Sequence, residues 1–317
     1  GNITVRFIGN TVHSVAHGMS INTWYHVVAT WDGSTVKMYI NNAEVFSTAF
    51  SGTITTNAAD VTVGALPDGS ENFDGRIDRL FVYNLAKSTT DIADEYNQFV
   101  HMTSSKADSA TGTALSVAMP TGTTTGDFVV VLAQANGQTT IVDNNGSTPF
   151  TEDINDYKPN TTNGHTLSIF SRTIQGGDPS TYAFTSGASG RWSLIAIRFY
   201  HTSSPSYDVS PSTSNASNTD DASSGTMVNP AITTVAAYAV HVTLGCWDTS
   251  AYGTITTPTG YSIIQNANTA GEPMHASFKN IITPGSTGTT TIVNTEFGAR
   301  IGLSFSVKGA GGVLIKT

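Results

Sequence analysis

Two loops of this 317-residue chain are rich in the oxygen ligands that calcium prefers. The first loop covers residues 67–74 and carries Asp68, Glu71, Asn72 and Asp74, and the second covers residues 143–146. Carboxylate and amide oxygens of this kind coordinate Ca²⁺ in proteins. Because Asp, Asn and Gly are also the residues of ordinary turns, calcium at either loop is a hypothesis. The four side chains of the first loop are its candidate ligands.

Carboxylates can also act in catalysis, where the distance between two carboxyl groups decides what they can do. Glycoside hydrolysis needs two carboxyl groups that face each other, about 5 to 10 Å apart. The nearest candidates for such a pair are Glu71, Asp74 and Asp78, and their spacing does not match the catalytic pattern of the related glucanases. A serine nucleophile is not indicated either, because the sequence has no Gly-x-Ser-x-Gly motif. The single cysteine, Cys246, ends an apolar run, where a buried and inert thiol is expected. We therefore expect no enzyme.

Two arginines stand at matching places in the second part of the chain. Arg191 and Arg300 each lie just inside an apolar run. One hypothesis is that they bind a carboxylate or a sugar. The other is structural, with the guanidinium lying over an aromatic ring or donating to loop carbonyls. Their repetition favours the structural role, because a repeated fold repeats packing solutions more readily than ligand sites.

The elements that position such side chains are predicted to be β-strands. Residues 26–30 and 36–40 alternate between apolar and polar side chains, which is typical of half-buried antiparallel strands. Asp32 and Gly33 supply the turn between them, and Asn41 with Asn42 supplies the next. Eight aromatic residues are predicted to form the core and rim of a sheet sandwich. They are Trp24, Trp31, Tyr39, Phe46, Phe50, Phe73, Phe81 and Tyr83.

One short helix is predicted near residues 89–99. Ser88 is suited to be its N-cap, and Asp91 stands three residues later in the capping-box position. Ile92, Tyr96 and Phe99 follow at the spacing of one helical face. The first module is therefore expected to end near residue 101, followed by a polar linker at residues 102–109.

Three segments of this module carry a family resemblance. They are Trp-Tyr-His-Val-Val-Ala-Thr-Trp-Asp-Gly at residues 24–33, Val-Lys-Met-Tyr-Ile-Asn-Asn at residues 36–42, and Gly-Arg-Ile-Asp-Arg-Leu-Phe-Val-Tyr-Asn at residues 75–84. Together they resemble the C-terminal half of the laminin G-like, concanavalin A-like jelly-roll family. The resemblance implies a strand at residues 76–83, recognition of sugars or proteins without chemistry, and often a bound calcium ion. About 100 residues are few for a whole domain of this class, so we expect upstream sequence or a partner chain to complete the sheet.

Composition narrows the classes of protein further. Charged residues make up only 12% of the chain, while Thr, Ser, Gly and Asn are abundant, which is typical of all-β modules at an extracellular or virion surface. The 38% of hydrophobic residues, arranged in alternating runs, can fill a core and argue against disorder. The net charge of −9 argues against a nucleic-acid partner. No apolar run is long enough to cross a bilayer, so membrane insertion is not expected.

Residues 110–309 are predicted to hold two copies of one β unit. Apolar runs near residues 125–133, 166–171 and 190–197 recur in the same order near residues 237–244, 275–280 and 298–307. The copies span about 110–200 and 226–308, with a crossover loop at 202–225 and a tail at 310–317. Residues 128–135 are apolar on both faces, whereas residues 238–244 alternate, which slightly favours one shared sandwich over two independent domains.

This second region is similar to β-sandwich modules of bacteriophage tail, fibre and other structural proteins. The Gly126-Asp127 strand start and the Gly190-Arg191-Trp192 segment carry the similarity. Such short matches have low specificity. The pairing of this region with a laminin G-like module is the better support for the resemblance.

The sequence leaves two functional classes open. In the first, an adhesion module attaches to cell-surface glycans, and Trp247, Tyr252 and Tyr261 stack on sugar rings while Asp248 binds hydroxyls. In the second, the chain is a purely structural subunit that meets other virion or fibre subunits, as a homo-oligomer or within a larger assembly. Exposed rings would favour the first class, and rings buried between copies or subunits the second. The combined expectation is a non-enzymatic structural and adhesion module.

Overall fold

The structure is a computed structural model that forms two compact units, Gly1–Tyr96 and Asn97–Thr317, here called unit 1 and unit 2. It describes residues 2–6, 12–16, 18–20, 25–51, 64, 73–75, 77, 80–96, 100–137, 139–146, 148–158, 164–201, 204–212, 216–219, 225–249, 253–267, 272–296 and 298–309. Nearly all of its regular structure is antiparallel strand, and the described residues contain one helix. The prediction of an all-β fold with one short helix is confirmed. No helix among these residues is long and apolar enough to span a membrane.

Unit 1 contains two small sheets and the helix. Its elements are β1 (Asn2–Arg6), β2 (Val12–Ala16), β3 (Val27–Trp31), β4 (Thr35–Ile40), β5 (Ala43–Ala49) and α1 (Thr89–Tyr96). Strands β1 and β2 pair with each other, and β3, β4 and β5 form a three-stranded meander. The buried side chains of Val36, Met38 and Tyr39 lie on its central strand.

The turn chemistry of the meander is the one that the sequence predicts. Asp32 Oδ1 accepts hydrogen bonds from the backbone amides of Ser34 and Thr35 at 2.8 and 2.7 Å. Gly33 has a φ of 94°, a left-handed conformation that costs glycine little. In the next turn, Asn41 and Asn42 have φ values of 47° and 66°, as a type I′ hairpin turn requires.

Helix α1 begins with the predicted capping box. Ser88 Oγ accepts a hydrogen bond from the Asp91 amide at 3.1 Å, and Asp91 Oδ2 accepts one from the Ser88 amide at 3.1 Å. Two amides at the start of the helix are thereby satisfied. Ile92 is fully buried one residue later, so the cap fixes the position of the helix's apolar side chain.

Replacing Ser88 by Ala is expected to destabilise unit 1 by about 1 kcal/mol, the usual cost of losing an N-cap side chain. Thermal denaturation with hydrogen-exchange protection of α1 as the readout measures this loss. Thr90→Ala is the matched control, because Thr90 is exposed within the same turn. Equal effects of the two substitutions would contradict a capping role for Ser88.

The segment that follows the meander differs from the prediction. Phe73 and Phe81 are each 59% exposed and Tyr83 is 46% exposed, although all three were expected in the core or rim of a sandwich. The described residues of the segment expected as a strand, 77 and 80–83, belong to no strand. A side chain is buried only when another layer covers it, and no described strand pairs with this segment.

Unit 2 begins with the first copy of the repeated β unit. Its strands are β6 (His101–Ser109), β7 (Ala114–Ala118), β8 (Phe128–Asn136), β9 (Ile141–Asp143), β10 (Thr151–Lys158), β11 (His165–Thr173), β12 (Thr181–Ser186) and β13 (Trp192–Tyr200). They form a large sheet in the order β10-β11-β8-β13-β6 and a small sheet in the order β7-β12-β9.

The second copy repeats this plan. Its strands are β14 (Ser206–Val209), β15 (Ala216–Thr219), β16 (Thr226–Asn229), β17 (Thr233–Thr234), β18 (Ala239–Trp247), β19 (Ile255–Thr256), β20 (Ser262–Ala267), β21 (Met274–Ile281), β22 (Gly285–Ser286), β23 (Thr290–Asn294) and β24 (Arg300–Lys308). The large sheet has the order β14-β24-β18-β21-β20, with β15 also paired to β24, and the small sheet has the order β16-β23-β19. Strands β17 and β22 pair separately.

The two large sheets pack face to face and share one core. A single cluster of buried apolar residues joins Val130 and Leu132 of β8 to Val242 and Leu244 of β18. A second cluster, which includes Val129 and Val131, fills the space between the large and small sheets of the first copy. Strand β8 is therefore covered on both faces, which explains its continuous apolar sequence.

The other face of β18 is polar and still buried. His241 and Thr243 are fully buried, and they stand opposite Ser306 and Ser304 of β24. Asn229 Nδ2 donates to Thr243 Oγ1 at 2.5 Å and to the Leu244 carbonyl oxygen at 2.7 Å. The alternating pattern of β18 thus reflects a hydrogen-bonded layer between two sheets and not a face in contact with water.

Two segments that the sequence treats as connections belong to sheets. The expected linker at residues 102–109 lies in β6, which pairs with β13 over its whole length at the edge of the first large sheet. The expected crossover loop at 202–225 contains β14 and β15, which both pair with β24. Backbone hydrogen bonds hold these edge strands, so their polar side chains show little of the alternation that marks a half-buried strand.

Candidate functional site

Trp247 was expected to stack on a sugar ring, but the structure buries it completely. The ring packs with Met227 and Ile292 between the large and small sheets of the second copy, and its Nε1 donates to the Gly225 carbonyl oxygen at 3.1 Å. A side chain at Gly245 would come within 2.7 Å of the ring, so glycine makes room for it there. Neither face of the indole is open to a ligand in this conformation.

Tyr261 is also buried, with 7% of its surface exposed. Its hydroxyl lies 2.7 Å from Nδ1 of His241, and burial raises the pKa of Tyr261 to about 12. His241 and Trp247 are six residues apart on β18, roughly 20 Å at the rise of a strand. The structure therefore separates Tyr261 from Trp247 and Asp248, and Tyr252 lies outside the described residues.

Asp248 does lie in a polar cluster, which is formed by both copies. Arg191 Nη2 lies 2.8 Å from Oε1 of Glu272 and 3.8 Å from Oδ1 of Asp248. Arg191 Nε donates to the same Glu272 oxygen at 2.9 Å. Asn136 Nδ2 donates to Asp248 Oδ1 at 3.2 Å and to Glu272 Oε1 at 3.3 Å. We call these four residues the junction cluster.

Glu272 is the most constrained member of the junction cluster. Its side chain is fully buried, and its Oε2 accepts a hydrogen bond from the Thr249 amide at 3.3 Å. Its backbone carbonyl accepts a hydrogen bond from Ser193 Oγ at 2.6 Å. Burial raises the pKa of Glu272 to about 7, with Arg191 opposing the rise and Asp248 adding to it. Loss of solvation is thus the dominant influence on this carboxyl group.

The junction cluster holds the two copies together. Asn136 and Arg191 belong to the first copy, and Asp248 and Glu272 belong to the second. A carboxyl group with a pKa near 7 has the proton affinity of a general acid, but a catalytic acid must also reach its substrate. Glu272 is fully buried, and Arg191 and Asn136 already donate to its Oε1. In this conformation the geometry supports a role in holding the copies together.

Glu272 was not among the candidates from the sequence. A charged residue at the start of a buried strand, such as Arg191, does signal that a partner must exist. Sequence cannot identify that partner, because Glu272 lies 81 positions away in the other copy. Asn136, at the end of an apolar strand, carries no distinguishing signal at all.

Arg191 and Arg300 are not at equivalent positions. The Asn136 amide donates to the Arg191 carbonyl oxygen at 2.9 Å, and the matching bond in the second copy runs from the Asp248 amide to Ala299 at 2.8 Å. Arg191 therefore corresponds to Ala299, one residue before Arg300. Arg300 Nη1 donates to the Gly298 carbonyl oxygen at 3.3 Å, as the structural hypothesis expects. A shift of one residue turns a side chain to the opposite face of a sheet, so these arginines have different surroundings.

The calcium hypothesis receives no support from the second loop. Asp143 Oδ1 accepts a hydrogen bond from the Asn145 amide at 3.0 Å, and Oδ2 accepts one from the Phe150 amide at 2.6 Å. These bonds are those of an ordinary turn. Of the four candidate ligands in the first loop only Asp74 is described, and it is exposed, whereas Asp68, Glu71 and Asn72 lie outside the described residues. Within the part of the chain that the structure describes, no three His, Cys, Asp or Glu residues form a metal-binding group.

Cys246 is a buried thiol, as predicted. It is fully buried, its Sγ lies 3.1 Å from the Ile301 carbonyl oxygen, and burial raises its pKa well above the usual range. A thiol that is so hard to ionise is a poor nucleophile.

Comparison with known proteins assigns a relationship to part of the chain. Residues 1–93 match the laminin G family model described as the concanavalin A-like lectin/glucanases superfamily. This confirms the lectin-like resemblance for the region of unit 1. No curated protein and no solved structure matches the chain.

Proposed function

We propose that this chain is a non-enzymatic adhesion module of an extracellular or virion-surface fibre and that it attaches to glycans. The match of residues 1–93 to the concanavalin A-like lectin/glucanases superfamily carries this proposal. Unit 1 is therefore the proposed seat of glycan recognition. Calcium at Asp68, Glu71, Asn72 and Asp74 remains part of the proposal, with these four side chains as its ligands.

Unit 2 is the structural half of the proposed module. Trp247 and Tyr261 are buried within the second copy, so they contribute packing and not a surface for sugar. Three clusters of buried apolar residues fill the spaces between its sheets, and such close packing makes a stiff body. A purely structural role without sugar binding is the second candidate function, and this burial of the predicted sugar-stacking rings favours it.

A glycan array incubated with the whole chain is expected to show binding to a defined subset of glycans. If calcium binds the first loop and supports glycan binding, a chelator should weaken the signal, and Asp74→Ala should weaken it in the presence of calcium. Val235→Ala is the control for unit 2, because Val235 is 73% exposed, and it should leave the signal unchanged. Flat responses across the array, together with a defined oligomer in solution, would instead support the purely structural role.

A further inference from the structure

The first strand of unit 2, β6, begins at one end of the first large sheet. Strand β6 starts at His101, which pairs with Tyr200, the last residue of β13. The two rings stack with centroids 5.3 Å apart. The segment that precedes His101 therefore reaches unit 2 beside Tyr200.

The last strand of unit 2 ends at the same place. Lys308, at the end of β24, pairs with Ser206, where β14 begins only a few residues after Tyr200. A Cβ atom on Gly309 would lie 2.6 Å from the ring of His201. His201 directly follows Tyr200, so Gly309 and His101 border the same dipeptide. Their Cα atoms lie within roughly 15 Å, since paired Cα atoms are about 5 Å apart and consecutive ones about 3.8 Å apart.

The opposite end of unit 2 holds the junction cluster. Asn136 ends β8, Arg191 immediately precedes β13, and Asp248 immediately follows β18. Along β13, eight residue steps separate this end from Tyr200, roughly 27 Å at the rise of a strand. The far end therefore carries turns of both copies and neither point at which the chain joins the unit.

We propose that unit 2 bears mechanical load at one end only, the end that contains His101, Tyr200 and Gly309. This extends the structural role proposed above and does not depend on glycan binding. Tension along the chain would enter and leave at one end, where it pulls on the His101–Tyr200 pair first. The edge strand β6 would then separate from β13 one pair at a time.

A covalent bridge between the two ends tests this arrangement in the whole chain. The double variant His101→Cys with Lys308→Cys should react with a short bismaleimide to give an internal cross-link, with the melting temperature retained. Thr111→Cys with Lys308→Cys is the control, because Thr111 is exposed near the far end. The unmodified chain controls for Cys246, which is fully buried and should not react.

Single-molecule pulling then measures the consequence. Without the cross-link, stretching should release roughly 700 Å of chain between residues 101 and 308, given about 3.4 Å per extended residue. With it, that release should disappear. Faster cross-linking of the Thr111 control pair, or unfolding of the chain by the His101–Lys308 bridge, would overturn the proposal. Neither result depends on whether the glycan array is positive.

Discussion

Replacing Phe305 by Ala is expected to destabilise unit 2 by about 3 to 5 kcal/mol and to affect both copies at once. Phe305 is fully buried in the core shared by the two large sheets. Its ring lies 6.5 Å from that of Phe199 in the first copy and 5.7 Å from that of Tyr207, between centroids. Removing it leaves a cavity that both sheets line.

This loss is large because domain stability is small. A folded domain is stabilised by only about 5 to 15 kcal/mol in total. Neither copy can cover its large sheet alone, since β8 and β18 bury one face against each other. We therefore expect unit 2 to unfold in a single transition, with protection of β8 and β18 against hydrogen exchange lost together.

Chemical denaturation followed by hydrogen exchange measures both the size and the coupling of the effect. Ile263→Ala is the control, because Ile263 is 48% exposed in the same unit and should cost less than about 1 kcal/mol. A Phe305→Ala chain in which β18 exchanges freely while β8 stays protected would show that the copies are independent.

Local chemistry made much of the fold predictable. The turn at Asp32 and Gly33 and the capping box of Ser88 and Asp91 depend on residues a few positions apart, and the structure contains both. The apolar run of β8 likewise predicts a strand that is covered on both faces, and the structure contains it. Each of these features is decided by neighbours in the sequence, which a pattern records directly.

The features that escaped prediction depend on distant partners. Trp247 precedes a segment of Asp, Thr, Ser and Tyr that is typical of an exposed sugar-binding loop. Its ring is nevertheless buried inside the second copy, where it packs beside Gly245 and against the small sheet. Strand β6 is polar because an edge strand needs only backbone pairing. The role of Glu272 follows only from the structure, because its partner Arg191 belongs to the other copy. Sequence alone does not show which surfaces the two copies bury against each other.

Replacing Arg191 by Met is expected to cost about 1 to 2 kcal/mol at pH 8, because a buried Glu272 carboxylate that loses its cation can bind a proton instead. The cost is smaller than is usual for breaking a buried ion pair, because protonating a group with a pKa of about 7 at pH 8 costs only about 1.4 kcal/mol. The Arg191 side chain is also 25% exposed. The substitution would leave the Glu272 carboxylate without its cation and beside Asp248. Asn136 and the Thr249 amide would remain as its hydrogen-bond donors.

The cost should depend on pH because Glu272 titrates near neutrality. Its pKa is raised from 4.5 to about 7 in the folded chain, so its contribution to stability is fully present below pH 4.5 and is lost as the pH rises through 7. At pH 5 the carboxyl group is already protonated in the folded chain. Arg191→Met should then cost less than about 1 kcal/mol, since little ion pairing remains to be lost.

Two buried histidines act in the opposite direction and must be separated from this effect. Burial lowers the pKa of His241 and of His275 from 6.5 to about 4, so their contributions are present above pH 6.5 and are lost as the pH falls through 4. Both contribute equally to the unmodified chain and to the Arg191→Met chain. The difference in unfolding free energy between these two chains therefore isolates Glu272.

Urea denaturation of both chains between pH 5 and pH 8 measures that difference. When both chains also carry Glu272→Gln, the cost of Arg191→Met should no longer depend on pH, because glutamine does not titrate. Lys106→Met is the matched cation control, since Lys106 makes only a partly exposed pair with Asp108 at 3.8 Å, and it should cost less than about 1 kcal/mol at either pH. An Arg191→Met loss that is equal at pH 5 and pH 8 would show that ionised Glu272 does not carry the contact between the copies.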